Sequence, residues 1–154
     1  MVRMEKLSEA EIKHLEETEC PTFETNPFVS GPPLNKRRVA LISTAGLHRR
    51  EDRPFTLGSG DYYRVIRGDV RANDLVMSHI STNFDRTGFQ QDWNIVFPLD
   101  RLNELVAEGV IGSVADYHYS FMGAHDPARM EPQVHSVAAL LKKDRVDAVF
   151  LLPV

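Results

Sequence analysis

The sequence predicts an α/β domain, three layers deep, built on a mainly parallel sheet. Three observations carry this. Strand-like and helix-like stretches alternate through the second half of the chain. The two most apolar strands, "RVALIST" and "VDAVFLL", lack the polar–apolar alternation of a one-sided sheet, so both of their faces are expected to be covered. The 154 residues suffice for one domain with a real core, and 42% apolar with 26% charged residues is an ordinary globular composition. The result is a flavodoxin/Rossmann-like domain over residues 37–154, with a helix and a Pro-rich arm before it over residues 1–36.

Each element has a local cause. Ser8 to Glu19 reads as a helix, because Ser8 and Glu11 have capping-box spacing and Ile12 and Leu15 share a face. Cys20-Pro21 stops it. "PTFETNPFVSGPPLNK" is too rich in proline for helix or sheet and is expected to be an extended arm. "RVALIST" is the first core strand, and "TAGLHRRED" a polar loop after it. "YYRVIRG" alternates, as a half-exposed strand does; "DLVMSHI" is a third strand candidate and "NIVFP" a fourth short apolar run. "LDRLNELVAEG" is helical, with Leu99, Leu102, Leu105 and Val106 on one face and Gly109 as its C-terminal cap. "IGSVADYHYSFMG" contains another strand. "MEPQVHSVAALLKKD" is a helix with Pro132 in its first turn, Val134, Val137, Ala138 and Leu141 buried, and Lys142 and Lys143 at its negative end. "VDAVFLL" closes as a buried strand.

Composition excludes several classes. A net charge of -4 with mixed signs leaves no footprint for nucleic acid, and Lys36-Arg37-Arg38 is too short to supply one. No apolar run is long enough to span a bilayer, and the charged N-terminus has no signal-peptide core, so a cytoplasmic protein is expected. The single cysteine, Cys20, excludes an internal disulfide, and beside Pro21 it reads as inert.

Ligands of open parallel sheets bind beyond the carboxyl ends of strands, and three polar clusters fall at such places. The first is Ser43-Thr44-Ala45-Gly46-Leu47-His48, where small residues permit close approach of backbone to a ligand; a tight strand-to-loop turn accounts for them equally well. It lacks the spacing and the lysine of a phosphate loop. The second runs from Ser78 to Arg86, where His79 near Asp85 supplies the parts of an oriented acid/base. The third is His118 with Gly123, His125 and Asp126, with His118 facing the sheet end and Gly123 a close-approach point. For both histidines a hydrogen-bonded structural role competes. His48, His79, His118 and Asp85 have no ligand spacing, so no metal site is expected, and there is no G-x-S-x-G elbow.

Several segments carry a resemblance together. "RRVALISTAGLHRRED", "YYRVIRGDV", "SHISTNFDR", "DWNIVFPLDRLNELVAEGVIG", "HYSFMGA" and "RVDAVFLLPV" occur in this order. They resemble the selenoprotein B family of the glycine/sarcosine/betaine reductases and its relative, the selenoprotein subunit of D-proline reductase. The resemblance implies a selenocysteine or cysteine directly after the strand that matches Val146–Val154, as the redox-active nucleophile. The expectation is that residue 155 is encoded as selenocysteine and that this chain stops at its codon. A chain lacking it is expected to be inactive, with its last strand bare and driving association.

The resemblance further implies reductive cleavage of a substrate C–N bond. The substrate is held on a carbonyl group of a partner subunit, and a thioredoxin-like dithiol restores the selenol. No bound cofactor is expected. His79 and His48 are expected to line the redox position, with Asp85 orienting His79. Ser43, Thr44, Gly46, Ser78, His118 and Gly123 form the expected substrate-binding set, and a homo-oligomer is expected. Two other readings stay open: a non-catalytic ligand-binding or partner subunit of the same fold, and a hydrolase or lyase using His and Asp.

Overall fold

The computed structural model describes residues 4–17, 22, 24–56, 63–80, 85–123 and 127–154. The chain forms two compact units, Met1–Ser30 and Gly31–Val154. In the first, helix α1 (Glu9–Glu17) starts as its capping box demands. Glu11 accepts the backbone N–H of Ser8 at 2.8 Å, and Ser8 Oγ accepts that of Glu11 at 3.3 Å. Cys20 and Pro21 lie outside the described residues.

The second unit is mixed α/β, with a curled, mainly parallel sheet. Its centre is β1 (Arg38–Ser43). Along one edge, β1 pairs in parallel with β7 (Ala148–Leu152). Along the other it pairs in parallel with β5 (Ser113–Val114) at its start and with β6 (Tyr117–Phe121) at its end. β3 (Tyr63–Arg67) adds to β6 antiparallel. A separate antiparallel ribbon joins β2 (Leu47–Arg49) to β4 (Leu75–Met77). The short helix α2 (Thr87–Gln91) follows β4 in sequence.

Helices pack on both faces of the sheet. Helix α3 (Leu99–Ala107) sends Leu99 and Leu102 into a core with Val39, Leu41, Ile66 and Phe97. Gly109, at φ 74°, adopts the left-handed conformation that ends this helix, as expected. Helix α4 (Pro127–Lys143) covers the other face, where Val137 packs with Tyr119 and Phe121. Each fully buried side chain of this size contributes about 1.5–3 kcal/mol. At the amino end of β1, Arg38 ties strands to helix: its Nη2 lies 2.6 Å from Asp144 Oδ1, and its Nη1 donates to Val114 O.

Several expectations need correction. "TAGLHRRED" is not simply a polar loop: Leu47 and His48 are buried, because their strand pairs with β4. "DLVMSHI" is strand only over Leu75–Met77, in the ribbon rather than the main sheet. "NIVFP" is no strand. Asp92 accepts the N–H of Asn94 and caps a 3-10 turn at Trp93–Ile95. "IGSVADYHYSFMG" holds two strands, split where Asp144 takes the N–H of Asp116. Helix α4 begins at Pro127, so Pro132 lies inside it rather than in its first turn, and Val134 is half exposed. The last strand is not covered on both faces: Val149 and Leu151 lie open beside the α4 face and Phe150 on the other. A strand at the sheet edge has only one neighbour, and that halves its cover. Among the described residues, no helix is long and apolar enough to cross a membrane.

Candidate functional site

The carboxyl end of β1 lies beside the carboxyl end of β7, and the residues after both strands are locked together. Thr44 N–H donates to Leu152 O at 3.1 Å, and Gly123 N–H donates to Thr44 O at 3.0 Å. The Thr44 hydroxyl accepts the N–H of Val154 at 2.8 Å and lies 3.3 Å from the Val154 carbonyl oxygen. A Cβ on Gly123 would come 3.0 Å from Val154 O and 3.2 Å from Thr44 O, tighter than most real contacts. Gly123 is therefore a point where the backbones of Thr44, Gly123 and Val154 approach closely.

Gly46 supplies the turn that follows. Its φ of 67° is left-handed, a conformation that glycine adopts without strain. A Cβ there would sit 3.1 Å from Met122 Sδ and 3.2 Å from the His79 backbone nitrogen. His79 is buried, and its ring meets the backbone of Val154. Burial pushes the His79 pKa below the ordinary histidine value, the neighbouring backbone of Val154 opposes this, and the Arg86 cation lowers it further. Arg86 also donates to the carbonyl of His79. Thr44, Gly123 and His79 thus converge on Val154, with Gly46 against the His79 backbone.

The remaining expected residues lie elsewhere or do other work. Ser43 is buried and its Oγ accepts the N–H of Ala45 at 3.2 Å, which shapes the turn. Asp85 is exposed; the Thr87 hydroxyl, and then the Thr87 N–H that its Oδ1 accepts at 2.9 Å, lower its pKa, and the backbone hydrogen bond opens helix α2. That hydrogen bond serves the helix start rather than His79. His48 and Ser78 bond to each other, His48 Nε2 to Ser78 Oγ, at 2.7 Å. Ser78 follows β4 two residues after Val76, the ribbon partner of His48.

His118 does not face the sheet end. It is the second residue of β6, fully buried on the α3 face, edge-on to Phe97 at 5.7 Å. Its Nδ1 accepts the N–H of Leu41 at 3.0 Å, so the ring proton sits on Nε2, which has no hydrogen-bond partner among the described residues. Burial lowers the His118 pKa to about 4. Residues 81–84, His125 and Asp126 lie outside the described residues. No cluster of three or more His, Cys, Asp or Glu suited to a metal ion occurs among the described residues.

Two contributors were not singled out from sequence. Ser120, buried, accepts the N–H of Leu47 at 2.7 Å and so anchors the ribbon to β6. Arg86 brings a cation to His79, and its place in the "SHISTNFDR" stretch was the only signal for it. A cleft of about 460 Å³ lined by Arg67, Gly68, Asp69, Asn103 and Asp116 lies at the amino end of β6, away from Val154. In parallel sheets ligands favour the carboxyl end, so the Val154 cluster is the better candidate.

A mainly parallel α/β unit with a polar cluster at the carboxyl ends of two adjacent strands defines a structural class of α/β domains. Comparison with known proteins identifies which. The family model of the glycine/sarcosine/betaine reductase selenoprotein B matches residues 2–153, and the chain belongs to this family. It is 35% identical over 120 residues to the D-proline reductase subunit gamma of Acetoanaerobium sticklandii, covering 77% of this chain and 49% of that protein. It is 31% identical to the glycine reductase complex component B subunit gamma of Symbiobacterium thermophilum, over 85% of this chain and 32% of that one. With the betaine reductase complex component B subunit beta of Peptoclostridium acidaminophilum it shares 30% identity, over 96% and 35%. The chain thus spans about half the length, or less, of these relatives. No solved structure matches it.

Proposed function

We propose that this chain forms the catalytic α/β unit of a selenol- or thiol-dependent reductase subunit, in which a selenocysteine or cysteine follows Val154. The observation that carries this reading is the convergence of Thr44, Gly123 and His79 on the backbone of Val154. Thr44 and Gly123 hold the backbone of Val154 in place. A chalcogen side chain there supplies the nucleophile, which must be anionic to act.

His79 is suited to serve that anion. Burial and the Arg86 cation favour its neutral form, which can take the proton of the selenol or thiol and later hand it to the departing nitrogen. Arg86 adds positive charge beside the anion. In the net reaction the C–N bond of a small substrate is replaced by C–H and the amine is released with its own N–H. A thioredoxin-like dithiol gives up two electrons and two protons and ends as a disulfide. The relatives' names, as components of reductase complexes, support a partner subunit; in this proposal that subunit presents the substrate on a carbonyl group. The bare apolar edge at Val149–Leu151 supports association through β7, with a second copy or with such a subunit.

Reading the transcript beyond codon 154 tests the proposal. A UGA in frame, or a cysteine codon, is the expected result; a different stop or any other residue overturns it.

A further inference from the structure

We propose that Ser78 is an activated nucleophile with His48 as its base, forming an acyl-accepting site for small esters or thioesters, separate from the Val154 cluster. The two residues stand 30 apart in sequence and meet because of the ribbon register. His48 pairs with Val76, and Ser78 N–H continues the ladder by donating to Gly46 O at 2.9 Å. Side chains alternate along a strand, so His48, Val76 and Ser78 share one face.

The hydrogen bonds assign the protons. His48 Nδ1 lies 2.7 Å from the carbonyl oxygen of Arg49, which can only accept. The ring proton is therefore on Nδ1, and the bare lone pair of Nε2 faces Ser78 Oγ at 2.7 Å. The hydroxyl donates to it. This is the sequence of nucleophile, base and orienter that activates serine, with a backbone carbonyl in the place often taken by a carboxylate. The carbonyl also steadies the imidazolium that forms when the proton moves.

Exposure divides the two residues as the chemistry requires. His48 is only 3% exposed and its ring is held edge-on to the buried Phe55, at 6.5 Å and 65°. Ser78 is half-buried and so more open than its base. In the first step Oγ bonds to the acyl carbon, the hydroxyl proton passes to Nε2, and the C–O or C–S bond breaks. The leaving oxygen or sulfur collects that proton. Water then attacks the serine ester and gives a proton to Nε2, the acyl C–Oγ bond breaks, and Oγ takes the proton back as the carboxylic acid leaves. Ester and water are the only reactants, and nothing is oxidised or reduced. Position 155 takes no part, so the inference stands apart from the reductase reading.

The test treats the full chain with a fluorophosphonate probe and with p-nitrophenyl acetate, and locates adducts by peptide mass spectrometry. Labelling at Ser78 is expected, with a loss of at least tenfold in labelling and hydrolysis in both Ser78→Ala and His48→Gln, each checked for folding by circular dichroism. Ser78→Cys provides an independent reading: beside His48 its thiol should be alkylated by iodoacetamide well below the pH that an ordinary cysteine, with a pKa of about 8.5, requires. Absence of an adduct at Ser78 would overturn the proposal, as would labelling that survives in folded His48→Gln. Should His48→Gln not fold, an ordinary thiol profile for Ser78→Cys overturns it and a lowered one upholds it.

Discussion

One hydroxyl, that of Thr44, meets both backbone polar groups of Val154: it accepts the N–H at 2.8 Å and lies 3.3 Å from the carbonyl oxygen. The end of β7 is thereby held to the end of β1 across 110 residues of sequence. Thr44→Val keeps the shape and removes the hydroxyl, which leaves a half-buried N–H unsatisfied. The expected cost is about 1–3 kcal/mol, seen as a melting temperature lower by a few degrees and faster hydrogen exchange at Val154. Thr44→Ser should restore most of both. Unchanged exchange at Val154 in the valine variant would refute the pinning role.

His118 makes stability depend on acid. The folded ring stays neutral down to about pH 4, whereas the unfolded ring titrates at the ordinary 6.5. Between these values the unfolded chain binds more protons, so stability should fall as pH drops through this window, and the loss should level off below it. The full effect is about 3 kcal/mol. Urea unfolding at intervals from pH 7.5 to pH 4 reads it. His118→Phe, which keeps the ring volume, should flatten that part of the profile.

Asp144 is the knot at the amino ends of the strands. It pairs with Arg38 at 2.6 Å and accepts the N–H groups of Asp116 and Tyr117 at 2.8 and 3.2 Å. With its side chain only 10% exposed, Asp144→Asn should cost about 2–4 kcal/mol by leaving Arg38 without its counter-charge. Arg38→Lys should recover only part of the pairing, since it lacks the second and third donors that reach Val114 and Asp116. The Asp144 pKa lies below the ordinary carboxylate value, burial being outweighed by Arg38 and the two backbone donors. Its contribution is therefore present above the unfolded value and is lost as pH falls through the folded one. Thermal melts of the two variants decide the matter; a loss below 0.5 kcal/mol would show that the network adds nothing.

Leu151, 64% exposed at the edge of the sheet, should mediate association together with Val149 and Phe150. Leu151→Lys is expected to shift the chain toward monomer in light scattering at a fixed concentration while leaving the fold intact, because the side chain already faces solvent. If the wild-type chain runs as a monomer, the apolar edge has another use.

The polar turns at Thr44–Gly46 and Gly123 could be picked out early, because each follows an apolar run that ends abruptly, and glycine at such a place signals close approach. The helix caps at Ser8 and Gly109 were equally plain, since a cap is set by residues three or four apart. His118 was misplaced for a specific reason. Local pattern shows that "YHYSF" is a strand, but not which residue of it meets Phe97 and Leu41. The β2–β4 ribbon escaped notice because strands of three residues are too short to display a period of two.

The primary structure alone marked out the class of fold, the helix ends and the short list of polar residues near strand ends, all of which depend on neighbours within a turn or two. Which of those residues meet was settled by folding. Val154 against Thr44 and Ser78 against His48 are contacts across 110 and 30 residues. They require strand register and sheet order, and a hydrogen bond of under 3 Å tolerates no slip in either: moving a strand by one position turns every side chain to the opposite face.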